Sequence, residues 1–368
     1  MRGILKVFGG LLALVLIYVV GLLVFGSLTD WQPTGERAVA VQGPGAGQAA
    51  PVIQDSLIRL LTWNVGYGGI GDEDFFFYNQ KNGFWWTRPG TVRMSEDRVR
   101  GNVLGQQITL KSLPADFYLL QEIDTAARRS HYTNQYANAR AARPAYAAAF
   151  AANYVSRHVP LPLLQPWDHY GAVTGGLVSL TRYRPQTSVR QQLPGEYGWP
   201  TRLFQLDRCA LRQTFAVAGG RTLVVYNVHL SAYDKDGSIR RQQMAFLRER
   251  VLEDYAAGHY VVVGGDWNQM PPGFNWFGLN PTVGRLRADE LPYRIDYDFM
   301  PPGWQYAFVG DVATNRSSAA PYVKDKTRTT VIDFFLVSPN MLIRSVQGIR
   351  QQFRYSDHQP VYTVLEFD

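Results

Sequence analysis

Six short stretches of this 368-residue chain close on side chains able to handle a proton, a phosphate or a hard metal ion. They are Leu61-Thr62-Trp63-Asn64, Tyr118-Leu119-Leu120-Gln121-Glu122 and Tyr226-Asn227-Val228-His229, then Val263-Gly264-Gly265-Asp266-Trp267-Asn268, Val331-Ile332-Asp333-Phe334 and Tyr355-Ser356-Asp357-His358-Gln359-Pro360. Carboxylate and amide oxygens suit a hard divalent cation, and carboxylates with imidazoles supply general acids and bases. Singly, each has a plain explanation: an Asn or Asp after an apolar run is commonly a turn residue, and a lone Glu is commonly solvated. Their repetition is the signal. Residues at strand ends on one rim of a sheet assembly can converge on a single site.

The elements that must position them are legible as apolar and β-branched runs. Strands are expected over 58–63, 117–120, 176–180, 223–228, 260–263, 331–337 and 361–367, with the polar residues at their C-terminal ends. Helical spacing of Val99, Val103, Leu104 and Ile108 predicts a helix over 95–110, and Ile239, Phe246, Leu247, Val251 and Tyr255 predict another over 238–255, stopped by Gly258. Mixed elements of this kind point to an α/β sandwich. No repeat or second linker interrupts the chain after Leu57, so residues 57–368 read as one domain.

Taken in order, the six motifs resemble the endonuclease/exonuclease/phosphatase superfamily, the DNase I-like group that includes abasic-site endonucleases, neutral sphingomyelinases and inositol-polyphosphate phosphatases. The resemblance runs from about Leu57 to the C-terminus, and Gly265-Asp266-Trp267-Asn268 and Ser356-Asp357-His358-Gln359-Pro360 are its most specific parts. Gly176 to Tyr183 also looks like the family's central strand. The resemblance implies a four-layer α-β-β-α sandwich and hydrolysis of a phosphoester. It implies that Asn64, Glu122 and Asp357 surround a divalent cation, magnesium with manganese as the alternative. Asp266 and Asn268 would orient and activate the nucleophile. His358 would contact the scissile phosphate, with Asp333 fixing its tautomer and favouring its cationic form. His229 matches the second histidine of the DNase and sphingomyelinase branches, where abasic-site endonucleases carry Asn. Arg128 and Arg129 follow Glu122 where some family nucleases place a phosphate-contacting arginine, but the spacing is looser and they read as solvated charges. An inactive binding module of the same fold is disfavoured, because Glu122, Asp266, Asn268 and His358 are all present.

Composition and the N-terminus narrow the setting. The formal charge of +7 favours anionic partners, a lipid headgroup or nucleic acid among them. The single cysteine, Cys209, excludes an internal disulfide and a cysteine-rich zinc site. Arg2 and Lys6 precede an uncharged apolar run from Val7 to Phe25, long enough to cross a bilayer as one helix. Residues 1–28 therefore read as a membrane anchor that leaves the catalytic domain extracytoplasmic. A cleaved signal peptide, and hence a secreted enzyme, is the alternative. Residues 29–56, rich in Gly, Ala, Pro and Gln, read as a flexible linker. Three loops are unusually apolar: Phe75 to Trp86, Val159 to Trp167 and Met270 to Phe277. Such clusters form either a satellite core or a binding surface. With the anchor, they favour a phosphodiesterase acting at a membrane on a lipid-like substrate. An extracytoplasmic nuclease or a phosphomonoesterase is the alternative, and nothing in the sequence sets an oligomeric state.

Overall fold

A computed structural model describes residues 2–44, 50–88, 90–232, 234, 236–281 and 293–368. Its frame is a pair of seven-stranded sheets. One runs, edge to edge, Met341–Gly348, Val361–Phe367, Leu57–Asn64, Phe117–Asp124, Gly171–Thr181, Ala147–Val159 and Val41–Gln42. The other runs Glu36–Ala38, Thr187–Gln192, Cys209–Val217, Arg221–His229, Tyr260–Asp266, Asp333–Val337 and Gln305–Ala307.

Each sheet has one parallel pair at its centre, and a parallel pair demands a crossover. The helix Glu96–Ser112 joins Leu57–Asn64 to Phe117–Asp124, and the helix Ser238–Ala256 joins Arg221–His229 to Tyr260–Asp266. Ser95 caps the first of these by accepting the Arg98 backbone N–H, and Glu96 and Asp97 in its first turn complement the helix dipole. Leu110 buries against Leu61, Trp63 and Tyr118 on one outer sheet face, together with Ala139 and Ala142 of the helix Gln135–Ala142. Met244, Leu247 and Val251 bury against Val224, Tyr226 and Val261 on the other. Between the sheets lies a third apolar layer that includes Leu60, Phe117, Leu119, Phe215, Val225, Val262 and Phe335. The architecture is thus the four-layer α-β-β-α sandwich that the resemblance implies.

The parallel pairs deliver Asn64, Glu122, His229 and Asp266 from their C-terminal ends. Asp333 differs from expectation: it opens its strand rather than ending one, and it lies directly opposite Asp266 in an antiparallel pair. Asp357 and His358 likewise precede Val361–Phe367, which runs antiparallel to Leu57–Asn64. C-terminal ends of parallel strands and N-terminal ends of antiparallel ones meet at the same rim, so the convergence holds although the direction differs.

The expected linker is partly built into the sheets. Glu36–Ala38 pairs with Thr187–Gln192, Val41–Gln42 pairs with Ala147–Val159, and Ile53 is wholly buried in the inter-sheet layer. Two- and three-residue edge strands carry too little pattern to outweigh Gly- and Pro-rich surroundings. The Gly45-Ala46-Gly47 stretch lies outside the described residues. The apolar helix Arg2–Thr29 also touches the domain: Tyr18, Val19, Leu22, Leu23 and Gly26, at helical spacing, are half-buried or buried, while its first half is exposed on all sides.

Phe117 and Phe215, one from each sheet, meet edge to face at 5.0 Å deep in the shared layer. Phe215 pairs with Leu223, six residues and about 20 Å along the strand from His229. Phe215→Ala is therefore expected to cost about 3–5 kcal/mol in denaturant unfolding while leaving turnover per folded molecule unchanged.

Candidate active site

Three of the site residues or their neighbours adopt left-handed backbone, which is uncommon outside glycine: Tyr67 (φ 42°), Glu122 (φ 56°) and Asn268 (φ 50°). Glu122 does so at an irregularity in the strand between Leu120 and Ile123, which turns its carboxylate to the rim. Behind it the two sheets are clasped by buried amides. Gln121 donates to Asn227 Oδ1 at 2.8 Å, and Asn227 Nδ2 donates to the carbonyls of Leu120 (3.2 Å) and Val178 (3.0 Å). Close approach of the layers here needs Gly264, where a Cβ would lie 2.5 Å from the Phe335 ring and 2.8 Å from Leu119.

The structure brings all eight sequence-assigned residues to this rim. Asn64 Nδ2 donates to Glu122 Oε1 at 3.1 Å and to Asp266 Oδ2 at 3.0 Å, while its Oδ1 accepts from the Gly66 backbone N–H at 3.0 Å. Its nitrogen, not its oxygen, thus faces the carboxylates. The backbone N–H of Asn268 donates to Asp266 Oδ1 at 2.9 Å, and Asn268 Nδ2 donates to the Leu230 carbonyl at 2.8 Å. His358 Nδ1 donates to Asp333 Oδ2 at 2.8 Å, and its Nε2 lies 3.7 Å from Asp266 Oδ2. His229 Nε2 lies 3.5 Å from Asp266 Oδ2 and 3.9 Å from Glu122 Oε1.

These distances divide the two histidines. Burial works against a charged His358, but Asp333, Asp266 and Asp357 outweigh it and hold the imidazolium up at about 10. Asn315 Nδ2 is placed 2.9 Å from His358 Nε2; a ring protonated on both nitrogens calls for the amide oxygen there, a half-turn of the same side chain. For His229 burial, reinforced by Arg208, His358 and Arg129, drives the pKa well below the usual range, so the ring is neutral. Burial pushes the Asp266 carboxyl up to about 7 against the pull of His358.

Asp266, Asp333 and His358 bring one ligand atom each within 4.8 Å of one another. A cationic His358 has no lone pair to offer a metal, so the charge state of that triad suits acid–base chemistry better than metal binding. Glu122 and Asp357 fit a divalent ion better. The Asp357 carboxyl is raised to about 6, chiefly by burial, with His358 and Arg316 opposing the rise and Glu122 adding to it. Two neighbouring carboxylates, one of them buried, make a hard oxygen donor set that a cation would relieve. Gly66 keeps that corner open: a Cβ on it would lie 3.0 Å from Asp357 Oδ1.

The site occupies one end of a cavity of about 590 Å³. Glu122, His229, Asp266, Asn268, Asp357 and His358 line that end, and Phe76, Phe77, Tyr154, Leu161, Phe204 and Leu206 line an apolar arm of the same space.

A family model described as the Endonuclease/Exonuclease/phosphatase family matches residues 61–358, a span that holds every one of these side chains. The chain belongs to that family. Its members are metal-dependent phosphoester hydrolases, and so is this chain. Among solved structures it is similar to an endonuclease/exonuclease/phosphatase from Bacteroides vulgatus, at 18% identity and TM-score 0.53, covering 85% of this chain and 100% of that one. One from Beutenbergia cavernae DSM 12333 has 19% identity and TM-score 0.51, covering 85% and 72% respectively. TDP2 from Caenorhabditis elegans has 14% identity and TM-score 0.50, covering 86% and 76%. No curated protein sequence matches the chain.

Two arginines beside the site are buried without any local pattern that announces it. Arg129, expected to be solvated, is buried: it pairs with Asp124 through two hydrogen bonds of 2.9 and 2.8 Å, bonds Tyr170, and lies 3.9 Å from the centre of the Tyr67 ring. Asp124, in the same strand as Glu122, is what draws it in. Arg316 is equally buried, and its guanidinium donates to the carbonyls of Gly71, Asp74, Ser317 and Ala320 while its backbone N–H holds the Asp357 carbonyl at 3.0 Å. Its partners come from two distant loops, which no local pattern announces.

His358→Ala and Asp266→Ala are each expected to lower turnover by about a hundredfold or more, the usual worth of a placed base or electrostatic donor. His358→Ala should also cost ~3–5 kcal/mol in chemical denaturation, since it strands the Asp333 and Asp266 carboxylates without their cation. Near-normal turnover in either variant overturns the assignment.

Proposed function

We propose that this enzyme is a magnesium-dependent phosphodiesterase acting at a membrane on a lipid-like substrate. The observation that carries this reading is the continuity of the cavity, whose acidic and imidazole end opens directly into an arm of aromatic and aliphatic side chains. A substrate with a phosphate at one end and an apolar portion at the other matches both. Nucleic-acid grooves also use aromatic side chains, but interleave them with Lys and Arg that neutralise successive phosphates. Here Phe76, Phe77, Leu161, Phe204 and Leu206 pack in one apolar cluster; Arg129, Arg208, Arg316 and Arg328 also line the cavity, but Arg129 is held by Asp124 and Arg316 by backbone carbonyls.

The division of labour follows from the charges. Glu122 and Asp357 would hold the divalent ion, whose positive charge would be available to the phosphate oxygens, and Asn64 steadies the set by donating from Nδ2 to Glu122 and Asp266. Asp266 is fixed by Asn64 and by the backbone of Asn268, and a carboxyl near neutrality is suited to receive the proton of an attacking water. His358, kept charged by Asp333, donates from Nε2 to the phosphoryl group as negative charge builds. Neutral His229 can accept or donate a hydrogen bond on the other side of Asp266. The N-terminal helix is retained as an anchor and the catalytic domain lies outside the cytoplasm.

The full chain in lipid vesicles should hydrolyse choline- or ethanolamine-phosphate lipids with magnesium, and a chelator should abolish it. Glu122→Gln should lower metal affinity and turnover together, since it removes a charged ligand at nearly constant volume. Turnover of plasmid DNA or RNA with no lipid hydrolysis would make the enzyme a nuclease and overturn the substrate assignment.

A further inference from the structure

We infer that the paired loops around Trp85 and Trp167 form a bilayer-docking surface, sunk into the outer leaflet to a depth set by where the N-terminal helix packs on the domain. The inference rests on the retention of that helix, as proposed above.

The two loops are one unit. The backbone N–H groups of Leu163 and Leu164 donate to the carbonyls of Phe84 and Trp85 at 3.0 and 2.9 Å, and Gln165 closes the pairing by bonding both the N–H and the carbonyl of Thr87. Their inner residues, Phe77, Val159 and Tyr170, are buried with Phe76, Tyr78 and Leu161 against them, so half of this aromatic material is satellite core. The outer half is not. Trp85 is 50% exposed, Trp86 52%, Leu164 60% and Trp167 72%, on a frame too well bonded to fold them inward.

The same unit holds the helix. Tyr18 Oη lies 3.3 Å from His169 Nε2, two residues beyond Trp167. Further along, Gly26 packs on Leu203 and Phe204, Trp199 Nε1 donates to Ser27 Oγ at 3.2 Å, and Arg202 faces Asp30. The apolar run from Val7 to Phe25 is about 28 Å long as a helix, close to the hydrocarbon thickness, so all of it is needed to cross. Yet the domain already grips the helix at Tyr18. From Tyr18 to Phe25 is about 10 Å along the axis, and the loop carrying His169 and Trp167 must therefore lie below the membrane surface by about that much. Trp199, level with Ser27, falls at the interface where tryptophan is favoured.

The charges nearby are compatible with this depth. Arg93 is paired with Asp168 at 2.8 Å, Arg128 donates to the His169 carbonyl at 3.1 Å, and exposed Lys81, Arg88 and Arg157 can extend their chains to the headgroups. Phe204, which packs on Gly26, and Leu161, whose carbonyl accepts from Tyr170 beside His169, both wall the apolar arm of the cavity, so the arm runs from the interface down to lipid level.

The test uses the full chain in phosphatidylcholine–phosphatidylglycerol nanodiscs, after intact-mass measurement shows the helix present. An environment-sensitive fluorophore is attached at Trp85→Cys, at Leu164→Cys and, as the control on the far sheet edge, at Leu342→Cys; native Cys209 is wholly buried. Labels at 85 and 164 should be quenched by doxyl groups on the acyl chains and shielded from aqueous iodide, with the reverse at 342. Gly26→Phe, which wedges the helix off Leu203 and Phe204, should return both labels to iodide and leave turnover of a soluble phosphodiester unchanged. Iodide quenching in the parent protein, or shielding from both quenchers as a second copy of the chain would produce, overturns the inference. So does a mature chain lacking the helix. Immersed labels without lipid turnover uphold the docking surface and count against the lipid substrate alone.

Discussion

The buried clasp between Gln121 and Asn227 is the contact on which the site depends. Each residue immediately precedes or nearly precedes a working side chain, Glu122 on one sheet and His229 on the other, and each is wholly buried in the inter-sheet layer. A polar pair in such a place is costly unless bonded, and here the two amide nitrogens reach the backbone of Leu119, Leu120 and Val178 and Asn227 Oδ1 accepts from Gln121, which leaves Gln121 Oε1 as the one polar atom of the pair without a partner among the described residues. Apolar contacts between the sheets are non-directional. Hydrogen bonds between them at one place fix their register there. Glu122, Asp266 and His229 then meet to within 3.5 to 3.9 Å although they come from different sheets.

A second constraint follows from that convergence. Bringing Glu122, Asp266, Asp333 and Asp357 together out of water creates mutual repulsion, and the fold answers with cations that are themselves held rigidly. His358 sits inside the cluster, and Arg316 supports the loop bearing Asp357 from behind, its two terminal nitrogens held by four backbone carbonyls while its buried Nε has no partner among the described residues. Arg129 does the same for Asp124, one strand position beyond Ile123. None of these cations comes from the two large sheets: His358 is in a loop, Arg129 in the short turn Arg128–Ser130 and Arg316 in the two-residue strand Asn315–Arg316 paired with Thr329–Thr330, so the segments between the main strands are structural parts of the site and not coverings over it.

This explains which features were legible in the sequence. The strands bearing Asn64, Glu122, His229 and Asp266 are continuous apolar runs because both their faces are covered, by a helix layer on one side and the opposite sheet on the other. Their polar ends stood out against that background. Ala147–Val159, Cys209–Val217 and Met341–Gly348 did not, being Ala-rich or mixed in polarity, and they are strands because neighbours pair with them. Arg129 could not be told from a solvated charge, since its burial depends on Tyr67, Asp124 and Tyr170 arriving together. Asn64 shows a limit of another kind: residue identity marked it for the site, but which end of its amide faces the carboxylates is decided only by Gly66.

The energetic sign of the cluster bears on whether it is there for stability. Burial raises the Asp357 carboxyl from 3.8 to about 6 and the Asp266 carboxyl to about 7. A carboxyl whose pKa is raised by folding contributes nothing below its unfolded value, costs progressively more as the pH climbs, and costs in full above its folded value. At neutral pH both groups therefore draw on stability, at about 1.4 kcal/mol for each unit of displacement. A chain selected only to fold would gain by replacing them with apolar residues of like volume. Their presence at one rim of the sandwich, Asp266 on a strand end and Asp357 in a braced loop, beside a cationic His358 and an open corner at Gly66, is the pattern of groups held in an unfavourable state so that a substrate and a divalent cation can relieve it.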